Sequence, residues 1–91
     1  MSLKTPAIVV NFKTYPESSG KDALSLAKMC EQVAHETGSV IIVAPPLPDL
    51  ALVASSVDIP VYAQHVDDVR AGNTTGHVAM ENIRASGASG T

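Results

Sequence analysis

Asn11 and Lys13 stand two residues apart at the carboxyl end of an apolar run, Ala7 to Phe12. In an extended chain, side chains two apart share a face, so a primary amide and an ammonium would be presented together. In parallel α/β architectures ligands bind beyond the carboxyl ends of the strands, where an ammonium holds a phosphate or stabilises a developing oxyanion. A lysine just past a strand is also, more simply, a solvated loop residue. Position alone leaves both readings open.

Other groups capable of chemistry are weaker candidates. His65 and His77 bracket Asp67 and Asp68, but their spacing matches no metal motif. His65 reads as a strand-end residue and His77 as part of the first turn of a helix, so no metal is expected there. Ser18-Ser19-Gly20-Lys21 faintly resembles a phosphate-binding loop. The motif needs a glycine where Tyr15 stands and a hydroxyl where Asp22 stands, and it is rejected. Asn73-Thr74-Thr75 fits a glycosylation sequon, which carries no weight without a secretory signal. Cys30, the only cysteine, falls on an apolar helical stripe and reads as a small buried hydrophobe.

The elements that must position Asn11 and Lys13 follow from periodicity. Ala7 to Phe12 is a short β-branched run, expected as a strand of a parallel sheet buried on both faces. Lys13 to Gly20 is loop. From Lys21 to Thr37, apolar residues recur at Ala23, Leu26, Ala27, Cys30, Val33 and Ala34, one buried face of a helix closed by Gly38. Val40 to Ala44 repeats the strand signature, and Pro45, Pro46 and Pro48 enforce a loop before a short helix around Asp49 to Ser56. Val61 to Val66 is a third apolar stretch. A Gly-rich loop from Asp67 to Gly76 leads to a helix over Val78 to Ser86, closed by Gly87, and Ala88 to Thr91 reads as the lead-in to a fourth strand. The order βαβαβα implies a parallel sheet with right-handed crossovers, either a barrel or a doubly wound layer.

With 91 residues the chain can build one core, and residues 1–91 are read as part of a single domain without internal boundary. Hydrophobic residues make up 45% and charged residues 16%, which excludes a disordered tail. A net charge of -3 with scattered Lys and Arg excludes a basic nucleic-acid-binding face. No apolar run approaches the roughly 20 residues that span a bilayer, so no membrane partner is expected. One unpaired cysteine and no signal peptide fit a reducing, cytosolic setting. Met1-Ser2-Leu3 reads as an expression remnant.

Four strings, in order, carry a resemblance. Asn11-Phe12-Lys13-Thr14-Tyr15, Val43-Ala44-Pro45-Pro46, Ala63-Gln64-His65-Val66-Asp67 and Thr75-Gly76-His77-Val78 resemble triosephosphate isomerase, and the Gln-His-Val-Asp and Thr-Gly-His-Val wording is similar to the archaeal members. The resemblance covers Pro6 onward. It implies a (β/α)8 barrel of which this chain supplies the first three βα units, and interconversion of dihydroxyacetone phosphate and glyceraldehyde 3-phosphate without cofactor or metal. It implies that Asn11 positions the substrate, that Lys13 holds its phosphodianion side and offsets the enediolate charge, and that Thr75 and Gly76 reach into a neighbouring subunit of a homo-oligomer, dimer or tetramer.

The family's electrophilic histidine, glutamate base and phosphate-binding backbone belong to strands four to eight, and neither His65 nor His77 matches the electrophile. Three parallel strands also leave two edges unpaired, so the chain is expected to be the opening portion of a longer one and inactive alone. Two other readings stand beside this one: a stand-alone flavodoxin-like module holding a phosphate near Lys13, and a different sugar-phosphate barrel enzyme.

Overall fold

The structure, a computed structural model, describes residues 3–91; of Met1-Ser2-Leu3, read from the sequence as an expression remnant, Met1 and Ser2 lie outside them. The chain runs through strand β1 (Ala7–Asn11), helix α1 (Lys21–Thr37), strand β2 (Val40–Ala44), helix α2 (Leu50–Ser56) and helix α3 (Met80–Ala85). Single 3-10 turns at Pro16–Ser18 and Leu47–Asp49 introduce α1 and α2.

β1 and β2 pair in parallel from Ala7 opposite Val40 to Asn11 opposite Ala44. α1 makes the crossover. Its C-terminal Gly38 adopts φ 72° and donates its N–H to the Ala34 carbonyl at 2.9 Å, the left-handed cap expected from the sequence. Gly20, which precedes Lys21, has φ 62°, and its N–H donates to Asp49 Oδ2 at 3.0 Å, so the starts of α1 and α2 are tied together.

The third strand expected over Val61–Val66 is not formed as a strand. Val61 pairs with Val43, and Tyr62 with Gly90, each as an isolated parallel bridge. The hydrogen bonds are Val43 N–H to the Pro60 carbonyl at 3.1 Å and Tyr62 N–H to the Val43 carbonyl at 2.9 Å. The next rung would need an N–H at position 45, and Pro45 has none. The four parallel segments still lie in chain order: β1, β2, the Val61–Tyr62 segment, then Gly90. Doubly wound sheets place β1 between β2 and β3, or the fourth strand against the first, and neither arrangement is present among the described residues.

β2 meets the expectation of burial, with Ile41 to Ala44 all buried. β1 does not, since Ile8 and Val9 are 53% and 58% exposed. It forms one edge of the sheet among the described residues and lacks a neighbour on that side. The core lies under the helices. Phe12, Ile41, Val43, Val61 and Ala63 from the sheet side meet Ala23, Ala27, Leu50, Val53 and Ile83, with Leu26 and Cys30 half-buried against them. Val33, expected on the buried stripe, is 47% exposed because it sits at the margin of a face centred on Ala23, Ala27 and Ala34.

α3 begins two residues later than expected. Val78 is engaged elsewhere: its N–H donates to Asp67 Oδ2 and its carbonyl accepts the Asp67 N–H, both at 2.8 Å. His77 is therefore a loop residue and not part of the helix's first turn.

Phe12 is 2% exposed and lies between Asn11 and Lys13. Truncating it to alanine is expected to cost about 3–5 kcal/mol, the range for a large buried aromatic, read as a lower urea midpoint for the Phe12→Ala variant.

Candidate functional site

Strand alternation does not carry the chain as far as Lys13. β1 ends at Asn11, and Lys13 has φ 57°, a left-handed conformation that non-glycine residues adopt uncommonly and that clusters at functional positions. Asn11 and Lys13 are brought together differently from the shared strand face read from the sequence. The Asn11 Oδ1 accepts the Lys13 backbone N–H at 2.9 Å, a side-chain turn that offers asparagine's own carboxamide to the residue two positions on.

The strained backbone is held from three directions. The Phe12 N–H donates to the Ala44 carbonyl at 3.0 Å. The buried Ser18 hydroxyl donates to the Phe12 carbonyl at 2.6 Å, folding the following 3-10 turn back beneath it. Gln64 Nε2 donates to the Lys13 carbonyl at 3.0 Å and to the Ala44 carbonyl at 2.9 Å. One amide group thus spans the carboxyl ends of β1, β2 and the third segment. Gln64 and Ser18 are the positioning residues that sequence reasoning missed. A glutamine ending an apolar run and a serine in a Pro-Glu-Ser turn carry no chemical signature until the chain is folded.

Lys13 is exposed and, among the described residues, makes no salt bridge. An ammonium presented at strand carboxyl ends without a carboxylate partner is free to meet an anion. The clefts lined by Leu3, Ile59 and Pro60 lie at the opposite, amino-terminal end of the sheet.

Thr75 and Gly76 are exposed on a separate loop, and no hydrogen bond among the described residues links them to Asn11 or Lys13. Asp67 and Val78 clasp the base of that loop through the two bonds described above. His65 Nε2 lies 2.8 Å from Asp67 Oδ1. At the tip, the His77 N–H donates to the Thr74 carbonyl at 3.0 Å, His77 Nδ1 lies 3.3 Å from the same oxygen, and Gly76 turns at φ 88°. The two histidines therefore serve the loop's own geometry. The bond from the Val78 N–H, and then that from His65, holds the Asp67 carboxyl below the usual carboxylate range.

The family model described as Triosephosphate isomerase matches residues 6–91. The triosephosphate isomerase of Pyrobaculum calidifontis is 56% identical over 88 residues, which cover 97% of this chain and 39% of that protein. That of Methanothermus fervidus is 55% identical over 86 residues, 94% of this chain and 39% of that protein. That of Methanosarcina barkeri is 49% identical over 86 residues, again 94% and 39%. The chain spans about two fifths of the length of these curated relatives.

A depressed folded-state pKa means that the Asp67 clasp contributes fully above the unfolded value of about 3.9 and is lost as pH falls below it through the folded value. Hydrogen exchange of the Val78 amide, corrected for intrinsic rate, is expected to be slow at pH 6 and to accelerate as the pH falls through the depressed Asp67 pKa. The Asp67→Ala variant is expected to show the fast rate at both pH values.

Proposed function

The chain belongs to the triosephosphate isomerase family, and on that premise we propose that the protein interconverts dihydroxyacetone phosphate and D-glyceraldehyde 3-phosphate. The reaction moves a proton between adjacent carbons through an enediolate. A base takes the proton next to the carbonyl, negative charge builds on oxygen, and the proton returns to the neighbouring carbon. Lys13 is the catalytic cation of this scheme. Its ammonium offsets the enediolate charge and holds the phosphodianion side, and Asn11 helps seat the substrate while fixing the Lys13 backbone.

The observation that carries this reading is the left-handed Lys13, held by Asn11 and Gln64 and without a carboxylate partner. A solvated loop lysine has no need of a strained backbone anchored at three points. The run of parallel segments in chain order supports a closed (β/α)8 barrel in a single domain, with residues 3–91 contributing its opening units. His65 and His77, bound to Asp67 and Thr74, take no part in proton transfer. The 91 residues by themselves are expected to be inactive, since losing a general base alone costs about 10²–10⁴-fold.

We propose further that Thr75 and Gly76 dock beside the Asn11 and Lys13 of a neighbouring copy, making a homo-oligomer, dimer or tetramer, in the cytoplasm. The clasped loop supports this, because Asp67 and Val78 pin its base while Thr75 and Gly76 stay exposed.

In the full-length protein, Lys13→Ala is expected to lower kcat/KM by at least about 10²–10³, the scale for removing one stabiliser of a developing oxyanion, with the fold intact by circular dichroism. An unchanged kcat/KM would refute the assignment.

A further inference from the structure

On the opposite side of the molecule from Lys13, three side chains converge from two elements. Glu31 and His35 stand one helical turn apart on α1, and Asp58 lies just past the end of α2. One donor atom from each lies within 4.8 Å of the others. We infer that Glu31, His35 and Asp58 form a binding site for a divalent transition-metal ion of the zinc class, which clamps α1 to the stretch leading into the third parallel segment at Val61.

The donor chemistry suits such an ion. An imidazole nitrogen with two carboxylate oxygens matches zinc and its neighbours better than calcium or magnesium, which take oxygen alone. The spacing suits it as well, since residues i and i+4 project from one helical face and reach a common ion, as metal-binding helices do. Donors about 2.0–2.1 Å from a tetrahedral zinc stand roughly 3.3 Å apart. His35 Nε2 and Asp58 Oδ1 are 2.8 Å apart, and both side chains are exposed and free to rotate toward that wider separation about the half-buried Glu31.

The frame for the ligands is already built. The Glu31 side chain is only 16% exposed, and its Oε2 accepts the Asp58 backbone N–H at 2.7 Å, which fixes the Asp58 loop against α1. Lys28 Nζ, 3.5 Å from Glu31 Oε1, is 53% exposed and free to swing away. An exposed His–Asp contact by itself holds two elements together weakly, whereas an ion shared by three ligands would bind them firmly. His35 and Asp58 border the open groove beside Gly38, Ser39 and Pro60, which leaves room for water to complete the coordination.

The test is isothermal titration of zinc chloride into the metal-free full-length protein in a non-chelating buffer, alongside H35A, E31Q and a control carrying H65A and H77A. The expected result is a zinc-binding event weakened at least about tenfold in H35A and E31Q and retained in the control, with a zinc-dependent rise in Tm that H35A abolishes. Should H35A fail to fold, D58N reads the same affinity with α1 untouched. No zinc binding by the unaltered protein, or an affinity unchanged by H35A or D58N, overturns the inference.

Discussion

The carbonyl of Ala44 accepts two donors, the Phe12 backbone N–H at 3.0 Å and the Gln64 side-chain amide at 2.9 Å. That double acceptance is where the sheet ends and the site begins. β2 runs into Pro45 and Pro46, which have no N–H to continue the ladder toward the third segment. A side chain reaches across instead, since the Gln64 amide of the third segment donates to the Ala44 carbonyl where the backbone ladder has stopped. The same amide goes on to the Lys13 carbonyl at 3.0 Å, so the device that closes the sheet also holds the lysine in its left-handed conformation.

The consequences spread outward from this junction. Phe12 is drawn under the helices while Asn11 and Lys13 remain in solvent, so one buried ring separates the core from the candidate site. Ser18 covers the Phe12 carbonyl, and Asp49 ties Gly20 to the start of α2. The first loop is therefore short, turned twice and fixed at both ends. A cation so held has little freedom to lose when an anion arrives, which is what preorganised charge stabilisation requires.

What the sequence disclosed was whatever local chemistry decides. α1, its Gly38 cap, β2 and the proline-led start of α2 follow from periodicity, a left-handed glycine and missing donors, all properties of neighbouring residues. The candidate residues could also be named as types at positions, an amide and an ammonium past a strand, and the four matched strings pointed to the family. What stayed hidden depends on partners distant in the chain. The exposure of Ile8 and Val9 reflects an unpaired sheet edge. The shortening of the third strand reflects Pro45 opposite it, and the late start of α3 reflects the claim of Asp67 on Val78. The turn at Lys13 was invisible for the same reason, since its anchor, Gln64, lies 51 residues away. The clasp of the Thr75 loop became visible only once residues 67 and 78 were seen to be hydrogen-bonded.

The central claim is that Gln64 acts through Lys13, and a double-mutant cycle on kcat/KM in the full-length protein tests it most directly. On the proposed function, Gln64→Ala should clearly lower kcat/KM in the unaltered background, yet change it by no more than about twofold when Lys13 is already alanine, since coupled residues depart from additivity. An equal loss from Gln64→Ala in both backgrounds would contradict the account, because the glutamine would then serve the fold or the substrate independently of the lysine.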